Sequence, residues 1–155
     1  MQLSQARAPP PSSGLTFASA SGTLTAPFSA AGGTISQPAY TSLAAGGRAA
    51  YSFSISNAGT YTVSALVNAS SDAANSFFVN IDAEPTDPLM VWDVPITAGL
   101  ADRTVSWRGN GTPDNNQFVP KTFTLSAGTH QLIVRGREAN CQLGTITLAP
   151  SGGTP

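Results

Sequence analysis

The sequence is poor in charge. Lys and Arg number 7 and Asp and Glu 8 in 155 residues, 10% in all, against about 25% in an ordinary soluble domain. Without a basic surplus there is no footprint to displace phosphate counterions, which argues against nucleic acid as a partner. There is likewise no polybasic patch for an anionic membrane surface. No apolar run approaches the ~20 residues that cross a bilayer, and the stretch Met1 to Gly14 lacks the apolar segment of a signal peptide. The single cysteine, Cys141, excludes an intrachain disulfide, a cysteine zinc site and CxxC redox chemistry. The single histidine, His130, excludes a multi-histidine metal site and is the sole base open to a Ser-His-Asp triad. No window carries a 3.6-residue period with caps, so helix is limited to a turn or two.

What the chain does have is enough apolar residue, 41%, to build a core rather than remain disordered. The ends read as linkers: 1–14 carries Pro9-Pro10-Pro11, and 150–155 is rich in Pro, Ser and Gly. From 15 to 149 a period of two dominates. Tyr51, Phe53 and Ile55 alternate with serines, and Tyr61, Val63, Ala65 and Val67 follow the Asn57-Ala58-Gly59 turn signal. Phe77, Val79 and Ile81 form a third stripe; Phe123 and Leu125, Leu132 and Val134, and Leu143, Ile146 and Leu148 form others. Leu15 to Leu24 reads as a first strand, with Met90 to Val94 and Thr104 to Trp107 as two more. Short strands separated by Gly and Pro turns predict an all-β antiparallel sandwich or barrel. The long connections 83–90 and 108–120 are where binding would sit on such a scaffold.

The order of these signals resembles the β-jelly-roll carbohydrate-binding modules of families 6 and 35. It is carried by Gly47-Arg48-Ala49-Ala50-Tyr51-Ser52-Phe53, Ala58-Gly59-Thr60-Tyr61 and Ser76-Phe77-Phe78-Val79-Asn80-Ile81-Asp82. Trp92, Trp107, Leu125-Ser126-Ala127-Gly128-Thr129-His130-Gln131-Leu132 and Leu143-Gly144-Thr145-Ile146-Thr147-Leu148 complete it. The resemblance spans about residues 15–149 and implies a jelly-roll sandwich that binds glycans without catalysis. Its relatives open with acidic residues that, with an Asp in the last strand, help hold a structural calcium. Here the matching positions are Ala18, Ala20 and Gly144, so loss of that site is expected, because calcium needs charged oxygen ligands. The relatives' sugar-contacting Asn corresponds to Gln142, which keeps an amide on a longer reach.

Trp92 and Trp107 are candidates for stacking on a sugar, since neutral glycans are bound by aromatic faces with polar groups on the hydroxyls; the competing role for each is core filling. Arg137 and Glu138 are adjacent on a strand and face opposite ways. Hydrogen bonding to hydroxyls by Arg137 and Asn140 competes with an ion pair that orders the loop. Asp82, Glu84 and Asp87 offer three carboxylates in a short stretch without the geometry of a hydrolase dyad or an EF-hand. The oxygen-rich loop 109–117 is a further candidate for calcium or sugar. His130 is read as structural and Cys141 as an inert small side chain.

These features support a non-catalytic, secreted module for a neutral polysaccharide or glycan, appended to a catalytic domain, with no catalytic or metal-ligating residues assigned. The alternative is a self-assembling structural subunit of a fibre, surface layer or virion on the same fold. An enzyme is the weakest reading, for want of a dyad, triad, metal cluster or phosphate loop.

Overall fold

The computed structural model describes residues 14–109 and 118–151. In chain order its strands are β1 (Leu15–Phe17), β2 (Thr23–Thr25), β3 (Ser29–Ala31), β4 (Thr34–Ser36), β5 (Arg48–Ile55), β6 (Gly59–Asn68) and β7 (Ser76–Ile81). They continue with β8 (Val91–Asp93), β9 (Ala101–Thr104), β10 (Thr122–Leu125), β11 (Gly128–Gly136) and β12 (Gln142–Pro150). One 3-10 turn, Ser19–Ser21, is the helical content among these residues. No helix there is long and apolar enough to cross a membrane. Of the expected linkers, only Gly14, Pro150 and Ser151 are among the described residues; strand pairing runs on through Pro150, and the Ser151 N–H donates to the Thr60 carbonyl at 2.8 Å.

Two antiparallel sheets face each other. One has the order β2-β5-β11-β7-β8. The other runs β10-β6-β12-β4-β3, with β1 also on β12 and β9 also on β6. The period of two selects the inner faces. Tyr51, Phe53 and Ile55 of β5 and Tyr61, Val63, Ala65 and Val67 of β6 enter one core, while Ser52, Ser54 and Thr60 stay exposed. Each large side chain buried there contributes about 1.5–3 kcal/mol. Outward on the seven-stranded sheet, Thr122 sits opposite Thr62 and Thr124 opposite Thr60, cross-strand pairs that suit β-branched residues.

β7 breaks the alternation, because Phe78 and Asn80 are buried as well as Phe77, Val79 and Ile81. Its outer face is covered as the segment 82–90 turns back along the sheet. Glu84 there bonds Arg48 and Arg135, cross-strand partners on β5 and β11, at 2.7 and 3.0 Å.

The expected single strand from Leu15 to Leu24 is split between the two sheets. β1 joins β12, and after the 3-10 turn β2 joins β5. Gly22 sits at the crossing, where a Cβ would lie 2.6 Å from the Tyr51 ring. The Tyr51 hydroxyl donates to the Ser19 carbonyl at 2.7 Å and ties the turn down. The expected strand from Thr104 to Trp107 runs instead over Ala101–Thr104. Residues 105–109 then cross between the sheets: the Val105 N–H donates to Val63 at 2.7 Å and the Arg108 N–H to Val91 at 2.8 Å. The Arg108 guanidinium grips Asp93 through two bonds, 2.8 and 2.6 Å, with both residues buried. A bidentate pair satisfies both buried charges at once.

Candidate functional site

Strand register gathers four connections at one end of the sandwich. Arg48 pairs with Arg135, Gly136 with Phe77, and Ser76 with Asp93, so the segments 37–47, 137–141, 69–75 and 94–100 meet there. On the other sheet β6 ends at Asn68 opposite Gln142, the first residue of β12.

Buried polar groups fix these connections. Gln37 accepts the Gly47 N–H at 2.8 Å and donates to the Ala39 carbonyl and the Thr41 hydroxyl, both at 2.9 Å. Its own carbonyl takes the Asn140 N–H at 2.8 Å, while the Thr41 N–H donates to Arg137 at 2.9 Å. The segments 37–47 and 137–141 are thereby bound together. Glu138 accepts the Asn75 N–H at 2.9 Å, and the Asn75 amide donates to Val94 at 3.0 Å. Thr97 and Ala69 exchange bonds of 2.8 Å, which ties 94–100 to the end of β6.

On this frame stands Tyr40, 64% exposed. The Arg137 guanidinium lies 5.5 Å from its ring centroid and donates to the Ser76 hydroxyl at 2.6 Å. Glu138 approaches the same guanidinium at 3.4 Å. The cation is thus held on three sides, and one face of the Tyr40 ring is oriented by a contact worth about 0.5–1 kcal/mol. Asn140 has φ 63, a left-handed turn that Asn tolerates, and is exposed beside them. The Asn68 amide donates to the Gln142 carbonyl oxygen at 2.8 Å. That leaves the Gln142 amide N–H groups and the Asn68 carbonyl oxygen to bond outward.

Of the six residues expected from the sequence, Arg137, Glu138, Asn140 and Gln142 lie at this end; Arg137 and Glu138 touch each other, and Gln142 pairs with Asn68 on the other sheet. The two tryptophans do not join them. Trp92 is 1% exposed and packs on Phe77 at 5.9 Å, in the core between the sheets. Its expected ligand-stacking role is therefore corrected to core filling. Its indole N–H has no acceptor among the described residues. Trp107 lies at the lateral edge, where residues 105–109 cross between sheets. It donates to the Val79 carbonyl at 2.9 Å, stands edge-on to Phe123 and is capped by the Lys121 ammonium at 4.2 Å. Tyr40, Asn68 and Gln37 were missed. Their signals are weak: an aromatic beside Pro38 in a polar stretch, and one outward amide closing an apolar stripe.

Asp82, Glu84, His130 and Cys141 are tied into the scaffold, and Asp87 is exposed. Asp82 turns at φ 66 and meets His130 Nδ1 at 2.5 Å and the Gln131 N–H at 2.9 Å. His130 Nε2 reaches the Ser126 carbonyl at 2.7 Å, so that nitrogen carries a proton and the ring is a cation when Nδ1 does too. The Asp82 hydrogen bond, helped by Ser126, raises the His130 pKa. Burial works against the Asp82 carboxylate, but the bonds from His130 and Gln131 prevail and lower its pKa. The Arg48 hydrogen bond, followed by Arg135, lowers that of Glu84. Burial, together with the Glu138 charge, pushes the Cys141 thiol far up, leaving it unreactive. Among the described residues no three His, Cys, Asp or Glu side chains are grouped to hold a metal ion. The loop expectation for 109–117 falls on 110–117, outside the described residues, apart from Gly109.

No family sequence model matches the chain, and no curated protein matches it either. Solved structures do. A family 35 carbohydrate-binding module from Clostridium thermocellum matches with a TM-score of 0.62 at 8% identity, over 90% of this chain and 100% of that one. The C-terminal family 6 module of a marine laminarinase from Zobellia galactanivorans gives 0.59 at 17%, over 88% and 99%. A β-(1,4)-mannanase of Podospora anserina joining a family 26 hydrolase to a family 35 module gives 0.62 at 12%, over 92% of this chain. The chain spans 28% of that mannanase. At these identities the likeness establishes the fold, the jelly-roll sandwich of those modules.

Proposed function

We propose that this protein is a non-catalytic carbohydrate-binding module that takes a neutral glycan at the loop end. The observation that carries it is Tyr40: a largely exposed ring, oriented by a fixed guanidinium, at the same end as an outward amide pair. Tyr40 stacks on the C–H face of a sugar. Arg137, Asn140 and the Asn68–Gln142 pair bond its hydroxyls, and Glu138 holds Arg137 in place. The low overall charge suits an uncharged ligand. Support also comes from solved carbohydrate-binding modules that share the fold over nearly their whole length.

In this reading the chain works outside the cell, joined to a catalytic domain as in the mannanase. Calcium has no part in it at the positions expected from the relatives, since Ala18, Ala20 and Gly144 offer no carboxylate. The comparisons do not favour the assembly-subunit alternative.

Affinity electrophoresis against β-1,4-mannan, β-1,3-galactan, laminarin and dextran tests the proposal. Retardation by at least one polymer, abolished in Tyr40→Ala, is the expected result. A folded protein that no polymer retards overturns it.

A further inference from the structure

Two exposed leucines beside the loop end have no part in the reading above. Leu66 faces outward on β6 and Leu100 immediately precedes β9; they are 37% and 49% exposed. Both border Gly144, where an added Cβ would lie 3.3 Å from the Leu66 Cβ and 3.8 Å from the Leu100 Cδ2. Gly144 falls in an irregularity of β12. Leu143 pairs with Val67 and Ile146 with Ala65, so Gly144 and Thr145 together oppose Leu66. Such bulges re-aim side chains next to binding surfaces.

The outward row just above this one is the Asn68–Gln142 pair. Sheet order sets what flanks both rows. β9 lies beside β6, putting 94–100 and Leu100 on one side; β4 lies beyond β12, putting 37–47 and Tyr40 on the other. The leucine row carries the Asp102 carboxylate, while Arg103, paired with Ala65, belongs to the opposite face of β9. Asp102 is the cross-strand partner of Leu66, and next to it Arg103 donates to the Pro95 and Asp102 carbonyls at 3.4 and 3.1 Å. An amide row followed by an aliphatic row matches a sugar chain, whose rings present C–H faces edged by hydroxyls.

We infer that the binding surface continues from the loop end down the outward rows of β6 and β12. The protein then holds an internal stretch of a neutral glycan chain, not a single sugar or a chain end. The inference rests on the loop end being a glycan site.

Titration calorimetry with mannose to mannohexaose and glucose to laminarihexaose reads it out. Affinity rises at least about tenfold from one unit to six in the series that binds. Leu100→Asp brings the hexasaccharide down to the monosaccharide level and leaves monosaccharide binding unchanged. Leu66→Ser, a milder change, moves it the same way, with both variants melting like the parent protein. Affinity that is flat with chain length, or leucine variants that weaken one unit and six equally, overturns the inference while the glycan site stands. Failure of the parent protein to bind either series or any of the four polymers overturns both.

Discussion

The segment 82–90 and the loop end both carry carboxylates within reach of arginines, but they use them differently. In the first, the bonding of Asp82 and Glu84 closes inward, Asp82 on His130 and Gln131 and Glu84 on Arg48 and Arg135, while Asp87 is exposed. In the second, Glu138 and Arg137 satisfy each other and their frame, while Tyr40, Asn140 and the Asn68–Gln142 pair keep bonding capacity facing solvent. The stretch with the most acid is scaffold, and the nearly neutral one is the candidate site. Ion pairs cost side-chain entropy and desolvation to form, so where they are complete little capacity remains for a ligand.

The contrast can be broken from the scaffold side first. Asp93→Ala strands the buried Arg108 guanidinium and is expected to cost about 3–5 kcal/mol in chemical denaturation. Glycan affinity of the folded fraction is unchanged; an unchanged stability would mean that the pair is solvated. From the site side, Tyr40→Ala is expected to lower glycan affinity at least about 30-fold, about 2 kcal/mol, with no change in melting temperature. Calorimetry and thermal melting on the same sample separate the two effects.

Glu84→Gln sharpens the difference more gently. Its carboxylate is half exposed, so stability falls by at most about 1 kcal/mol, less at high salt, and sugar binding does not move. The smallest effect is pH dependence. His130 has a raised folded pKa, so its contribution is complete below its ordinary value of 6.5 and is lost as pH rises through the raised one. Asp82 has a lowered pKa, so its contribution is present above 3.8 and is lost as pH falls through the lowered value. Melting temperature is therefore expected to be flat from about pH 4 to 6.5 and to decline above. His130→Gln removes the decline, and a decline that persists in that variant assigns it to another group.

Much of the fold is legible residue by residue. The stripes of β5, β6, β11 and β12 are visible as alternation, because one face of each strand must be apolar to enter the core, and β7 shows its inner stripe although both its faces are buried. The short strands β3 and β4, and the break between β1 and β2, are not. Strands of three residues give too little period to read, and the sheet crossing depends on Gly22 fitting against Tyr51. The site was half legible. Arg137, Glu138, Asn140 and Gln142 lie close along the chain, whereas Tyr40 and Asn68 come from connections far away in sequence. Trp92 misleads for a local reason. β8 is buried on both faces, so nothing in Val91-Trp92-Asp93 tells which side chain turns inward.

Alternation and composition by themselves determined an all-β antiparallel sandwich or barrel with little charge, no intrachain disulfide and no multi-histidine metal site, because they are local properties of the sequence. Tertiary structure alone decided which aromatic side chain meets the polar loop residues. Burial and proximity depend on strand register between distant segments, and register is settled only when the two sheets close on their common core.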